Sequence, residues 1–301
     1  MNEGSLLTFL WQHGIVRKRS SLSERRAGML FAVDIDGTIA TISGTDAYGA
    51  YVRRALRIPI DHAWRHLSSD PSLLTALCRD TSFATWWAAH PDHHEHVQAL
   101  LNEGQYSQEV QERSLPIAGA QEALSQLAQD HHILYVTNRK STTLALTRSW
   151  LKAHGFPSYE HVCCCGEEQG FVSKVRYAVE ALQALDGEGG QIVFIDDKAP
   201  YFEHTFAVLV KEDLPFVRGC IHRVAAIAYG KGDLPPCRFP RPVFPMAPMP
   251  EWKHLPDTLS ALTPCIGGAA SLFDQFFDET FVPVLLRRRR NPRIPQNALS
   301  A

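Results

Sequence analysis

Five short apolar runs recur along this chain, and helix-period segments separate most of them. The runs are "LFAVDI" from Leu30, "ILYV" from Ile133, the weaker "HVCCCG" around Cys163, "IVFI" from Ile192 and "VAAIAY" from Val224. Near-continuous apolarity, rather than strict alternation, marks strands buried on both faces of a parallel sheet. Helical patterns cover 118–130, 143–155 and 174–185, with Gly155 and Gly187 as stops for the last two. Strands alternating with helices predict an α/β fold on a doubly wound parallel sheet.

Two stretches break this rhythm. About seventy residues separate the first strand from the next helix, too many for a structureless connection, and they carry Trp64, Leu67, Phe83, Trp86, Trp87 and Val97. Residues 44–114 are therefore expected to form an inserted helical cap, leaving 28–43 and 115–230 as the core. Beyond it, "PPCRFPRPVFPMAPMP" is too dense in proline for a strand or a helix interior, so 231–301 reads as an irregular C-terminal extension. Residues 1–27, an apolar patch with its charges after it, read as an N-terminal extension rather than a secretory signal.

Composition narrows the function classes. A chain 45% hydrophobic and 21% charged is typical of a globular protein, and no apolar run approaches the roughly 20 residues that span a bilayer. A net charge of -2 gives no global attraction to nucleic acid or to acidic membranes. "RRRR" at 287–290 is a basic run of the sort that binds polyanions, but near the chain end it reads as a solvated tail. Seven cysteines, three of them consecutive at Cys163–Cys165, offer neither zinc-ligand spacing nor a disulfide framework. A reducing cytoplasm is the expected setting.

The chemistry gathers where strands end. The first runs into Asp34 and Asp36 ahead of Gly37, the second into Thr137 and Asn138, and the fourth into Asp196 and Asp197. In an open α/β sheet, ligands sit in the crevice beyond the carboxyl ends of the strands. Two carboxylates converging there repel each other unless a cation lies between them. The plainer reading of the first strand end alone is an ordinary Asp-Gly turn. Lys174, at the start of the helix before the fourth strand, is placed to reach the same rim.

Together, "DIDGT", "VTN", Lys174 and "IDD" resemble the four ordered motifs of the haloacid dehalogenase superfamily, at intervals of 103, 37 and 22 residues. The resemblance covers about residues 28–230, and the insert sits where a type 1 cap sits. It implies that Asp34, Asp196 and the backbone carbonyl of Asp36 hold Mg²⁺, and that Asp34 attacks phosphorus to give an aspartyl-phosphate. It also implies that Asp36 is the general acid and base, which calls for a carboxyl tuned toward neutrality. Thr137, Asn138 and Lys174 would bind the phosphoryl group, Asp197 would support metal or lysine, and Gly37 would allow a sharp turn. The second aspartate argues for phosphoryl rather than carbon–halogen chemistry.

The expected activity is Mg²⁺-dependent hydrolysis of a small phosphate monoester, with a nucleotide-type substrate as a candidate. A phosphotransferase, a polynucleotide-end phosphatase and a non-enzymatic binding protein are the alternatives. "HPDHHEH" at 90–96 resembles a metal site but reads better as cap surface, and Trp86 and Trp87 read as cap core.

Overall fold

The computed structural model of the chain describes residues 28–41, 78, 81–105, 107–166, 170–186, 190–234 and 244–268. Six parallel strands form one sheet in the order β3-β2-β1-β4-β5-β6. They are β1 (Leu30–Val33), β2 (His132–Thr137), β3 (Val162–Cys164), β4 (Ile192–Asp196), β5 (Val224–Tyr229) and β6 (Met246–Met249). The chain runs outward through β2 and β3, then returns to lay β4 on the other side of β1. That reversal opens the crevice in which ligands of such sheets bind.

Helices α1 (Thr81–Ala89), α2 (His94–Gln105) and α3 (Gln108–Arg113) lie in the insert between β1 and β2. Phe83, Val97 and Val110 are buried there, and the Ser107 hydroxyl caps α3 by accepting the Val110 N–H at 3.4 Å. Residues 1–27, most of the insert before residue 81, and 269–301 with the arginine run lie outside the described residues.

The core helices are α4 (Ala120–Leu127), α5 (Leu144–Ala153), α6 (Phe171–Asp186), α7 (Tyr201–Glu212), α8 (Leu214–Cys220) and α9 (Leu255–Gly268). Side chains of successive strand residues point to opposite faces, and each face of the sheet is covered. Leu30, Ala32, Leu134 and Phe194 pack against Val175, Val179 and Phe202 of α6 and α7. Phe31, Val33, Tyr135 and Val193 pack against Leu124, Leu151 and Leu262 of α4, α5 and α9. The sheet is doubly wound, as the alternation of strand and helix signals required.

The expectation of an irregular chain after residue 230 is corrected. Residues 246–249 form the sixth strand, and α9 closes one face of the core. Proline does not prevent this, because β6 is an edge strand. The Ala226 and Gly230 N–H groups donate to the carbonyls of Pro245 and Met249 at 2.9 and 2.8 Å. The nitrogen of Pro248 is not needed as a donor on the outer side.

Candidate active site

Register brings the acidic residues together. Val33 lies beside Tyr135 of β2 and Ile195 of β4, so Asp34 is level with Asp196, and Thr137 is one residue beyond on the other side. The Asp34 N–H donates to the Ile195 carbonyl at 2.9 Å, extending the ladder past β1. The chain then turns sharply: Gly37 has φ 87°, in the left-handed region that glycine enters without penalty. Its N–H donates to the Ala40 carbonyl at 2.8 Å. Asp34, Asp36, Thr137, Asn138, Lys174, Asp196 and Asp197 line one small polar cavity, together with Phe171 and Lys198.

Lys174 is fully buried at its centre. Its Nζ donates to Asp34 Oδ1 at 2.7 Å and to Asp196 Oδ2 at 2.8 Å, and lies 4.8 Å from the Phe171 ring centroid. The helix carrying it begins at Phe171, three residues earlier than the sequence pattern suggests. Burial alone would lower the Lys174 pKa; the Asp196 and Asp34 carboxylates outweigh it, so the group is held above its ordinary range and stays an ammonium. Asp34 is pushed up to about 8, chiefly by burial; the pull of Lys174 is offset by repulsion from Asp196, Asp197 and Asp36. Asp197 is raised to about 6 by burial and then by Asp196.

One ammonium among three acids leaves a deficit of positive charge. Carboxylate oxygens of Asp34, Asp196 and Asp197 come within 4.8 Å of one another, and this is the cluster among the described residues able to hold a metal ion. An all-oxygen, all-carboxylate donor set suits a hard divalent cation such as Mg²⁺. Asp197, expected only in support, contributes an oxygen directly to this cluster.

The raised pKa of Asp34 has a measurable consequence. An acid whose folded-state pKa lies above its unfolded value stabilises the fold fully below the unfolded value, and loses that contribution as pH rises through the folded one. For Asp34 the window runs from 3.8 to about 8. The Tm of chelator-treated protein is therefore expected to decline as pH rises from about 4 to about 8 and to level off above that, and saturating Mg²⁺ to remove the decline by favouring the ionised carboxyl. Differential scanning fluorimetry at constant ionic strength reads both curves.

Asp36 is held by a buried arginine. Both its oxygens accept from one guanidinium: Arg139 Nε donates to Oδ2 at 2.9 Å and an Arg139 NH2 group to Oδ1 at 2.7 Å. The packing provides a bidentate, charge-assisted pair across the fold. Arg139 is fully buried and also donates to Thr147 Oγ1 at 3.3 Å. Its charge is secured above the ordinary range, because Asp36 outweighs the burial that would lower it. The residue stood in the sequence directly after Thr137 and Asn138, but nothing local to that stretch shows a partner 103 positions away.

Thr137 is buried at the end of β2, where its hydroxyl accepts the Arg139 N–H at 3.3 Å. Asn138 faces the cavity with a buried Oδ1 that has no hydrogen-bond partner among the described residues. Lys198, which sequence reading passed over, is exposed at the cavity rim, and its backbone N–H donates to Asp196 Oδ1 at 2.7 Å. His90, His93, His94 and His96 do not line this cavity. The His94 ring stacks on Trp87 at 3.7 Å and 4°, His90 stacks on Trp86 at 4.8 Å, and each hydrogen-bonds that tryptophan's carbonyl. No helix among the described residues is long and apolar enough to cross a membrane.

No family model matches the sequence, and no curated protein does. Among solved structures, the chain is similar to several haloacid dehalogenase superfamily hydrolases. A subfamily IA hydrolase from Geobacter sulfurreducens is 16% identical over 79% of this chain and 99% of its own, with a TM-score of 0.45. A 2-haloacid dehalogenase from Pseudomonas syringae is 19% identical over 78% and 99%, with a TM-score of 0.42. A putative beta-phosphoglucomutase from Thermotoga maritima is 15% identical over 68% and 88%, with a TM-score of 0.37.

Proposed function

We propose that this chain is a divalent-metal-dependent phosphatase that hydrolyses a small phosphate monoester through an aspartyl-phosphate on Asp34. The observation that carries the reading is the set of buried Asp34, Asp196 and Lys174 with half-buried Asp197 in one cavity at the carboxyl end of the sheet. Three acids and a fixed cation match what phosphoryl transfer needs, which is positioning and neutralisation of charge more than covalent chemistry.

In this reading Asp34, Asp196 and Asp197 hold Mg²⁺, which supplies charge neutralisation at the phosphoryl oxygens. Asp34 Oδ attacks phosphorus and the bond to the leaving oxygen breaks; Asp36, a carboxylate in its pair with Arg139, takes up a proton from solvent as substrate binds and delivers it to that oxygen. Asp36 exchanges one of its two Arg139 hydrogen bonds for the leaving oxygen, then takes a proton from the water that opens the aspartyl-phosphate. The Thr137 hydroxyl, the Asn138 amide and the Lys174 ammonium hold the phosphoryl oxygens. In this reading the helical insert excludes bulk water and selects the leaving group.

Inorganic phosphate release from an aryl phosphate is expected with Mg²⁺ and is expected to stop on addition of chelator. A panel of mononucleotides and sugar phosphates ranks substrates, and added alcohol acceptors divert product only if the chain is a transferase. Turnover that is indifferent to chelator would remove the metal from the account.

A further inference from the structure

The segment after residue 230 reaches the catalytic loop itself. Trp252, carried between β6 and α9, is one of the largest fully buried side chains. Its indole N–H donates to the Thr38 carbonyl at 2.9 Å, across 214 residues of sequence. Thr38 belongs to the turn that follows Asp36, and is itself buried. Its hydroxyl accepts the backbone N–H of Asp197 at 3.0 Å. One residue is thus fixed at two points, by the C-terminal segment at its carbonyl and by the β4 loop at its hydroxyl.

The indole is held as firmly as it holds. Its ring lies 5.6 Å from that of Tyr229 at the end of β5. Its Cβ rests against Gly119, where a side chain would start at 3.3 Å and φ is +79°, so the space is kept open by glycine. Buried indole N–H groups require a partner, and this one is directed at the loop bearing Asp34 and Asp36 rather than at its own segment.

We propose that Trp252 is a positioning residue for the candidate active site. Through Thr38 it sets the spacing between the loop of Asp34 and Asp36 and the loop of Asp196 and Asp197, so that residues 244–268 form part of the catalytic unit. The inference rests on the phosphatase reading for its kinetic readout, but its metal-binding readout stands apart from activity. Groups that orient metal ligands from behind are worth about 10–100-fold in affinity or rate.

The test uses the full chain with Trp252→Phe, which keeps an aromatic ring, though a smaller one, and lacks the N–H. A second variant carries benzothienylalanine at the same position, which keeps the bicyclic shape with sulfur in place of the donor. Mg²⁺ affinity is read by calorimetry, kcat and KM on an aryl phosphate, and fold by circular dichroism. With the fold intact, Mg²⁺ affinity and kcat are both expected to fall about 10-fold while KM stays within about twofold. If Trp252→Phe does not fold, the shape-matched analogue decides by the same readouts. Wild-type Mg²⁺ affinity and kcat in a folded variant would overturn the proposal and leave the phosphatase reading standing. A wild-type chain that neither binds Mg²⁺ nor releases phosphate would remove both.

Discussion

Lys174→Met is expected to give a protein with little turnover and a strongly pH-dependent fold. The ammonium is the charge partner of both Asp34 and Asp196 at hydrogen-bond distance, and all three are buried. Removing one partner of a buried pair costs about 3–5 kcal/mol when the other charge remains. Here the carboxyls have an escape, since they can bind protons. Asp34, already raised with the lysine present, would then titrate higher still, so the variant holds its stability at low pH and sheds it as pH rises. Wild type should show the same sign over a smaller range, because its lysine offsets part of the repulsion on Asp34. Divalent metal should restore much of the lost stability but not the rate, because the lysine's pull on the transferring phosphoryl group is worth about 10²–10³ in kcat. Thermal unfolding from pH 5 to 9, with metal and with chelator, separates these effects; equal stability across that range would contradict the geometry of the bridge.

Arg139→Leu is the second large effect. The guanidinium is fully buried and holds both oxygens of Asp36, whose side chain is only 10% exposed. Loss of the fork leaves a nearly buried carboxylate unpaired and the Thr147 hydroxyl without this donor, a change of about 3–5 kcal/mol. It also frees Asp36 from the orientation that aims it at the cavity, so kcat is expected to fall with stability. Arg139→Lys should recover little of either, since a single ammonium cannot reproduce a bidentate pair. Denaturant unfolding with kcat and KM on the same preparations checks both; a Lys variant of wild-type stability and rate would show that only charge, and not the fork, is needed.

The fold was legible where its physics is local. Apolar runs buried on both faces, separated by helix-period segments, imply a parallel sheet, and β1, β2, β4 and β5 lie where their runs stand. Even Cys163 to Cys165 follow strand alternation, with Cys163 and Cys165 in one core and Cys164 packed on the other. Strand ends naming Asp34, Thr137 and Asp196 led to one cavity because parallel strands share one carboxyl rim.

What stayed hidden depends on pairing across the fold. β6 could not be read from "PMAPMP", because tolerance of Pro248 depends on its being at an edge, and edges are a property of the sheet. Arg139 shows no partner in its local sequence until the fold sets Asp36 opposite it, and Trp252 shows none until the fold brings Thr38 to its indole N–H. The same limit applied to Asp197, whose carboxylate joins the cluster through the turn after β4.

The central claim is that Asp34 is the nucleophile of a metal-dependent phosphatase. Phosphate release from an aryl phosphate by the full chain at saturating Mg²⁺, compared between wild type and Asp34→Asn, tests it most directly. The substitution keeps the shape of the side chain, and circular dichroism reports whether the fold is kept. The account predicts wild-type turnover that chelator abolishes, and a folded Asp34→Asn protein that releases phosphate no faster than the buffer. Turnover by a folded Asp34→Asn protein at the wild-type rate would contradict it.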